Sequence, residues 1–507
     1  MPECPPNTPV IVGVGFCQVK GDDPAQCPEA SELMLSAIRD AARDAGADTL
    51  VSQFESIAVQ RGSWKYANPG KLLADTLGCP GAKSILADLG VLQLMPLAQL
   101  CQAIADGSQS VGVVTGGEAR YRELRSLKTG QAVPETEQGA DTPPPDVFYE
   151  TPDPFSSEVE QQRGIWAPGE FYAIADSAWR FHQGIGLEEH RDNIARLYSG
   201  FSDIAAANPH AWLQQRLAPE QIRDAADGNA MIAFPYTKRL MSQWNVNQAV
   251  AIIVCSAGKA RELGLDEAGW IYPLAAAQSR HVVNLAQKKH LHTHPGTVLT
   301  GERAMALAQV TPGDLAAVDL YSCFPSAILA GARDLKLDES MPLSVTGSMA
   351  YAGGPFNHGA LDSVARMVEV LRERCEGDVE HDGEAQIGLV SNISGMFAKQ
   401  ACALFSTAPK PQNFAFDDIT EQVAEQEVPL PLRGDYSGEA TVVGYSVMYH
   451  KADISHAIAF CDTPDGARTV VRTDDKQLAE QMTRQEFVGR TVQVQGDGSF
   501  SVAAPAC

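Results

Sequence analysis

Along the chain, short unbroken apolar runs alternate with stretches whose apolar residues recur at helical spacing. Residues 8 to 18, TPVIVGVGFCQ, predict a buried strand running into a glycine-bearing turn, and SELMLSAIRDAARDAGA predicts an amphipathic helix after it. ILADLG and VGVVTGG (111 to 117) predict further strands, with a helix from about Met95 to Asp106 between them. From 120 to 170 the pattern gives way to acidic, Pro-rich sequence such as DTPPPD, which predicts loops. Helical spacing returns from Gly169 to about Leu217, carried by Trp179, Phe181, Ile185, Ile194 and Leu197. A strand-like run, NQAVAIIVCSAGKA (247 to 260), follows, so the middle block reads as an insertion into an α/β core.

A second α/β half is predicted from about 268 to 408, with strands WIYPLAAA, AAVDLYSC and QIGLVSN and helices PSAILAGARDL and LDSVARMVEVLRERC. Two halves of similar size hint at a duplication, although no repeat is visible letter by letter. Beyond a Pro-containing linker come short alternating runs, ATVVGYSVMY, AIAFCD, TVVRT, TVQVQ and FSVA, with turn residues between them, which predict a small β-barrel or sandwich. The divisions expected are 1–119 and 236–267 for the first half, 120–235 for the insertion, 268–408 for the second half, 409–432 for the linker and 433–507 for the β domain.

Composition narrows the class of function. At 507 residues the chain has room for about three cores. Its 44% hydrophobic and 20% charged residues are those of a globular protein. A net charge of −24 repels nucleic-acid phosphate and anionic lipid, and no long basic block offsets it, so neither partner is expected. Eleven cysteines without CxxC pairs fit reduced thiols. With no basic leader and no apolar run of membrane-span length, a cytoplasmic location is expected. Gly13 and Gly15 suggest a dinucleotide fingerprint, but Gln18 stands where its third glycine belongs, so a tight turn is the better reading.

Four blocks in order, FPYTKRLMSQWNVNQAVAIIVCS, VDLYSCFPSA, SMAYAGGPFNHGALDSVAR and LVSNISGMFAKQA, resemble the thiolase superfamily, most closely the thiolase-like proteins near the sterol-carrier-protein thiolases. The likeness covers about residues 8 to 408. It implies a five-layered α/β fold of two βαβαβαββ halves, with the insertion helping to bind coenzyme A. It also implies an acyl-CoA thioester as substrate, no covalently bound cofactor and no metal. Relatives of this kind are usually dimers; a homodimer and a monomer both remain open. The terminal domain is read as an OB-like module that covers the acyl pocket or the coenzyme entrance.

The resemblance also shows what is missing. A thiolase of this pattern places its nucleophilic cysteine near Gly90, in LGVLQLM, and no cysteine stands there. The histidine of its GHP block aligns with Gly354, between Gly353 and Pro355. Its last acid/base cysteine aligns with Ser391 or Asn392.

What remains is Tyr321, able to donate to an oxyanion or to fill the pocket, and Cys323, a nucleophile if a base approaches it or else a small buried residue. His358, four residues after Gly354, is one helical turn away if the helix has begun there, and so stands as a substitute base, as a cap, or as a residue that faces solvent. Tyr351 is a second phenol; Tyr321 and Tyr351 together resemble the tyrosine pair of thiolase-fold retro-aldolases. Gly353 and Gly354 permit positive φ and close backbone approach to another strand or to a thioester. Arg120, Arg122, Arg125, Lys128, Lys238 and Arg239 are the cations available for coenzyme A phosphates. His290, His292 and His294 alternate at strand period and are read as a partly exposed histidine face rather than a metal site. The functions that follow are an acyltransferase-like enzyme of acyl-CoA and lipid metabolism, a retro-aldolase on a β-hydroxyacyl-CoA, or a non-catalytic acyl-CoA binder.

Overall fold

The computed structural model of the protein describes residues 4–151, 154–338, 340–377 and 384–502. Six strands lie side by side in the order Pro9–Gln18, Asn247–Ser256, Val111–Ala119, Ser56–Gln60, Lys83–Ala87 and Val147–Tyr149. A second sheet runs Leu315–Asp319, Ile387–Ser394, Lys399–Ser406, Tyr272–Ser279 and Ala415–Asp418. The central strands are apolar without alternation because both faces are covered, and every residue of Asn247–Ser256 is buried.

The duplication invisible in the letters is plain in the pairing. In the first sheet Pro9–Gln18 and Val111–Ala119 both pair antiparallel with Asn247–Ser256, and Ser56–Gln60 adds in parallel. In the second, Tyr272–Ser279 and Ile387–Ser394 both pair antiparallel with Lys399–Ser406, and Leu315–Asp319 adds in parallel. Each half contributes one helix to the space between the sheets, Met95–Ala105 and Gly359–Gly377. Leu97, Leu100, Leu361, Val364 and Val368 share one core with Val250 and Ile252 from one sheet and Val390 and Phe405 from the other. Helix Ala30–Asp44 covers the outer face of the first sheet and helix Pro295–Ala308 that of the second, making five layers. Gly13 and Gly15 belong to this packing: a Cβ on either would run into the backbone of Ala30–Asp44, so their role is close helix–strand approach.

Two stretches carry more regular structure than the sequence pattern predicts. Arg120–Thr129 is a helix where loops are expected, and the segment read as a linker supplies the edge strand Ala415–Asp418 and the helix Thr420–Gln426. Both lie where charged residues mask the apolar spacing.

The C-terminal domain consists of the antiparallel strands Gly438–His450, Asp453–Asp462, Arg468–Thr473, Thr491–Val494 and Phe500–Val502. Its two edge strands meet through a parallel bridge between Arg472 and Ser499, and the Arg472 N–H donates to the Gly498 carbonyl at 2.9 Å, closing the sheet on itself. The domain sits on the insertion helix Pro168–His182. There the Tyr445 N–H donates to Ser177 Oγ at 2.8 Å, and Arg180 pairs with Glu486 at 2.6 Å. No helix among the described residues is long and apolar enough to cross a membrane.

Candidate functional site

The amino ends of the two central helices meet at Gln93. Its N–H donates to Asn392 Oδ1 at 2.7 Å and its carbonyl accepts from Gln60 Nε2 at 2.8 Å. On the side chain, Oε1 accepts from the Ala360 N–H at 2.7 Å while Nε2 donates to Tyr321 Oη at 3.2 Å. One glutamine thus ties the first half's helix to the second half's helix and to the candidate phenol. Asn392 reaches Leu94 N–H as well, at 3.4 Å, and Ser391 Oγ accepts from the Tyr321 N–H at 2.9 Å. The two residues in the place of the family's acid/base cysteine therefore hold backbone in position.

Neighbours fill the two other vacated places. Gly90 has φ +91°, and a Cβ built on it would overlap the Phe155 ring. At Gly354 a side chain would collide with Ser242 Oγ, and at Gly353, with φ +110°, with the Gln248 carboxamide. The glycines of YAGGP are therefore set by contact with these side chains.

Cys323 lies buried just before helix Pro325–Asp334. Burial pushes its thiol up to about 12, outweighing its hydrogen bond from the Tyr172 phenol. Tyr172 stacks on Phe324 at 4.7 Å and packs on Phe397 at 4.6 Å, which places an aromatic cover from the insertion over this thiol. Burial first, and then the Cys323 sulfur, raise the Tyr321 hydroxyl well above its ordinary range, against a smaller opposing effect of Gln93. Tyr321 is accordingly a phenol that keeps its proton.

His358 departs from the sequence-based expectation. Helix Gly359–Gly377 begins after it, so no helical turn joins it to Gly354, and its carbonyl accepts from Leu361 N–H at 2.8 Å. The ring is buried, faces Asp362 Oδ2 at 3.8 Å and is held down to about 3 by burial, while burial and then Asp319 keep the Asp362 carboxyl well above the usual range. It does not face solvent. Tyr351 is also buried, edge-on to Tyr198 at 6.2 Å, with its hydroxyl pushed up by burial.

Four of the candidate phosphate cations are already engaged by other groups. Arg120 pairs with Glu123 at 2.5 Å and lies over Trp244, and Arg125 pairs with Asp22 at 3.3 Å. Arg122 is buried and donates to the Pro134 carbonyl at 2.7 Å, and Arg239 donates to the Gln221 carbonyl at 2.8 Å. Lys128 and Lys238 are exposed. The histidine face is also corrected: residues 290–294 form no strand, and His294 is buried against Phe397 at 3.8 Å. His290 and His292 instead join His182 of the insertion.

Sequence reasoning missed Gln93, Tyr172 and Asp362. A polar residue inside the apolar run LGVLQLM is the one signal that points to Gln93; Tyr172 becomes visible only when the insertion folds back over Cys323.

Comparison with known proteins agrees with this architecture. The solved structure of a monomeric sterol-carrier-protein-thiolase-like protein type 1 from Mycobacterium smegmatis superposes with a TM-score of 0.80 at 24% identity, covering 99% of this chain and 100% of that one. An Ltp2–ChsH2 (DUF35) aldolase superposes with a TM-score of 0.58 at 18% identity, covering 78% of this chain and 98% of its own. An acetyl-CoA acetyltransferase of Methanothermobacter thermautotrophicus is 26% identical over 267 residues, 49% of this chain. The match spans 66% of that relative, just under two thirds. The fold is that of the thiolase superfamily. Residues 418–499 match the family model of the additional C-terminal domain of thiolase-like protein type 1, so a thiolase-like fold is joined here to a match for that extra domain.

Proposed function

We propose that this protein binds an acyl-CoA thioester where its two halves meet and cleaves a β-hydroxyacyl-CoA by a retro-aldol reaction, with Tyr321 as the group that stabilises the enolate. The observation that carries this reading is the hydrogen bond from Gln93 Nε2 to Tyr321 Oη: an oxygen that accepts from an amide keeps its own proton free to donate. In the reaction the Cα–Cβ bond breaks, its electron pair enters the thioester enolate, and the proton lost by the β-hydroxyl is matched by the one gained at Cα, so no co-reactant is required. A donor held at the enolate oxygen in a dry site lowers that barrier by about 3–4 kcal/mol.

Acyl transfer, the chemistry in the name of the acetyltransferase relative, needs a thiolate, and among the described residues no cation lowers the Cys323 thiol. Similarity to a solved aldolase supports the tyrosine-based alternative as analogy of fold. A second reading, a non-catalytic acyl-CoA binder, is favoured by the packing of Tyr172, Phe324 and Phe397 over the site. We read the closed five-stranded C-terminal order as an OB-like barrel and, because it covers the insertion, the protein as a monomer.

Turnover of a β-hydroxyacyl-CoA panel tests the proposal, with intact-protein mass recorded in parallel. Tyr321→Phe is expected to lower kcat by about 10²–10³, while Cys323→Ala leaves it within about threefold. An acyl adduct that disappears in Cys323→Ala would sink the retro-aldol reading in favour of acyl transfer. Binding without turnover would leave the binder.

A further inference from the structure

Between strands Ile387–Ser394 and Lys399–Ser406 the chain reverses through residues 395–398, with Ser394 and Lys399 still paired in register. A connection of that length is mostly built on right-handed residues. Here three in a row are left-handed: Gly395 at φ +66°, Met396 at φ +51° and Phe397 at φ +66°. Glycine takes that conformation freely, whereas each of the two bulky residues is disfavoured in it by about tenfold, and such residues visit it singly rather than in runs. Strain of this kind persists only where the surroundings hold it, and it gathers at clamps and switches.

Phe397 carries the opposing contacts. Its ring lies flat against His294 at 3.8 Å and packs on Tyr172 at 4.6 Å, and its carbonyl accepts from Gln400 Nε2 at 3.1 Å. A second unfavourable feature lies under that ring. His294 is buried with neither imidazole nitrogen hydrogen-bonded among the described residues, a cost that water relieves once Phe397 moves aside. The ends of the turn are anchored, since Ser394 Oγ and Lys399 Nζ both donate to the Gly90 carbonyl, at 3.2 and 3.3 Å. Motion is thereby confined to residues 395–398, and it uncovers Tyr172, the phenol that lies on the Cys323 thiol.

We infer that the turn 395–398 is a strained gate over the candidate site, with Phe397 as its leaf: closed, it seals Tyr172 onto Cys323, and open, it lets a ligand reach Cys323 and Tyr321. The inference rests on the acyl-CoA reading above for what enters, and on the turn and its aromatic contacts alone for the opening.

Alkylation of Cys323 by iodoacetamide in the full native chain, followed by peptide mass, reads the open fraction, because a buried, protonated thiol reacts only when it is uncovered. Cys101 in helix Met95–Ala105 and Cys461 in the C-terminal domain, both buried in other elements, serve as internal controls. In the wild type, Cys323 is expected to react about tenfold or more faster than either control. Met396→Gly relieves the left-handed residue without removing a stacked ring, so it should hold the gate shut and slow Cys323 about threefold or more. Phe397→Ala removes the leaf and should speed Cys323 about tenfold. Equal Cys323 rates in wild type and Met396→Gly, or a wild-type Cys323 no faster than Cys101 and Cys461, overturn the gate. Turnover of the β-hydroxyacyl-CoA panel separates this idea from the first. Opposite labelling shifts in a chain that turns nothing over leave the gate standing and sink the retro-aldol reading, whereas turnover with labelling that ignores Met396→Gly sinks the gate alone.

Discussion

The two halves share a strand order and differ at the turn that leads into each central helix. In the first, Gly90 lies beneath Phe155 and Gln93 is bonded through backbone and side chain alike. In the second, Gly354 lies against Ser242, and a buried His358 faces Asp362. The strands beneath repeat the contrast. Gln60, at the end of Ser56–Gln60, donates to the Gln93 carbonyl. Asp319, at the end of Leu315–Asp319, accepts from Ser344, Thr346 and Ser363. One frame therefore carries two different polar solutions. In both, the space that a side chain would need at the glycine aligned by resemblance with a thiolase residue is taken by another segment of the chain, Phe155 at Gly90 and Ser242 at Gly354.

The largest effect expected from breaking this comparison comes from restoring the missing ring. Gly354→His drives an imidazole into Ser242 and is expected to cost about 3 kcal/mol or more in urea unfolding, with Ser242→Gly in the same chain recovering part of it. A single Gly354→His protein as stable as wild type would show that the place is open after all.

Next is acid sensitivity. His358 titrates at about 3 in the folded chain, below its unfolded value near 6.5. The folded state therefore binds fewer protons there, and the stability this contributes is full above pH 6.5 and lost as pH falls toward 3. Between pH 7 and 4 the loss is about 3 kcal/mol, and His358→Gln should flatten the stability profile over that window. An unchanged acid limb in His358→Gln would place the sensitivity elsewhere.

Asn392→Ala, which strips the acceptor from the Gln93 and Leu94 N–H groups, is expected to cost about 1–3 kcal/mol. Its effect should fall away when Gln93 is changed as well, as a double-mutant cycle would reveal. Smallest is Tyr351→Phe. The hydroxyl is buried without a hydrogen-bond partner among the described residues, so its removal should shift stability by no more than about 0.5 kcal/mol and leave kcat unchanged. A large loss of turnover there would make Tyr351 a partner of Tyr321.

Strand and helix periodicity made the α/β alternation legible, since runs such as NQAVAIIVCS are apolar on both faces only when two layers cover them. The duplication lay beyond it, because pairing order is conserved in space while the letters differ. His290, His292 and His294 misled because alternation by two implies a shared face only in a strand, and this segment turns, sending His294 inward. Gln93 and Tyr172 were hidden for another reason: each takes its role from a residue more than 100 positions away, Tyr321 for one and Cys323 for the other, and no local signal encodes such a meeting.

The convergence of the central helices on Gln93 has an electrostatic consequence. Each helix ends in amide dipoles worth roughly half a positive charge at its amino terminus. Met95–Ala105 and Gly359–Gly377 aim both of those ends at the same few ångströms of the interior. Within a molecule whose ionised side chains sum to −24, the point beside Tyr321 is thus a local well of positive potential made by backbone alone, and no change of side chain there would erase it.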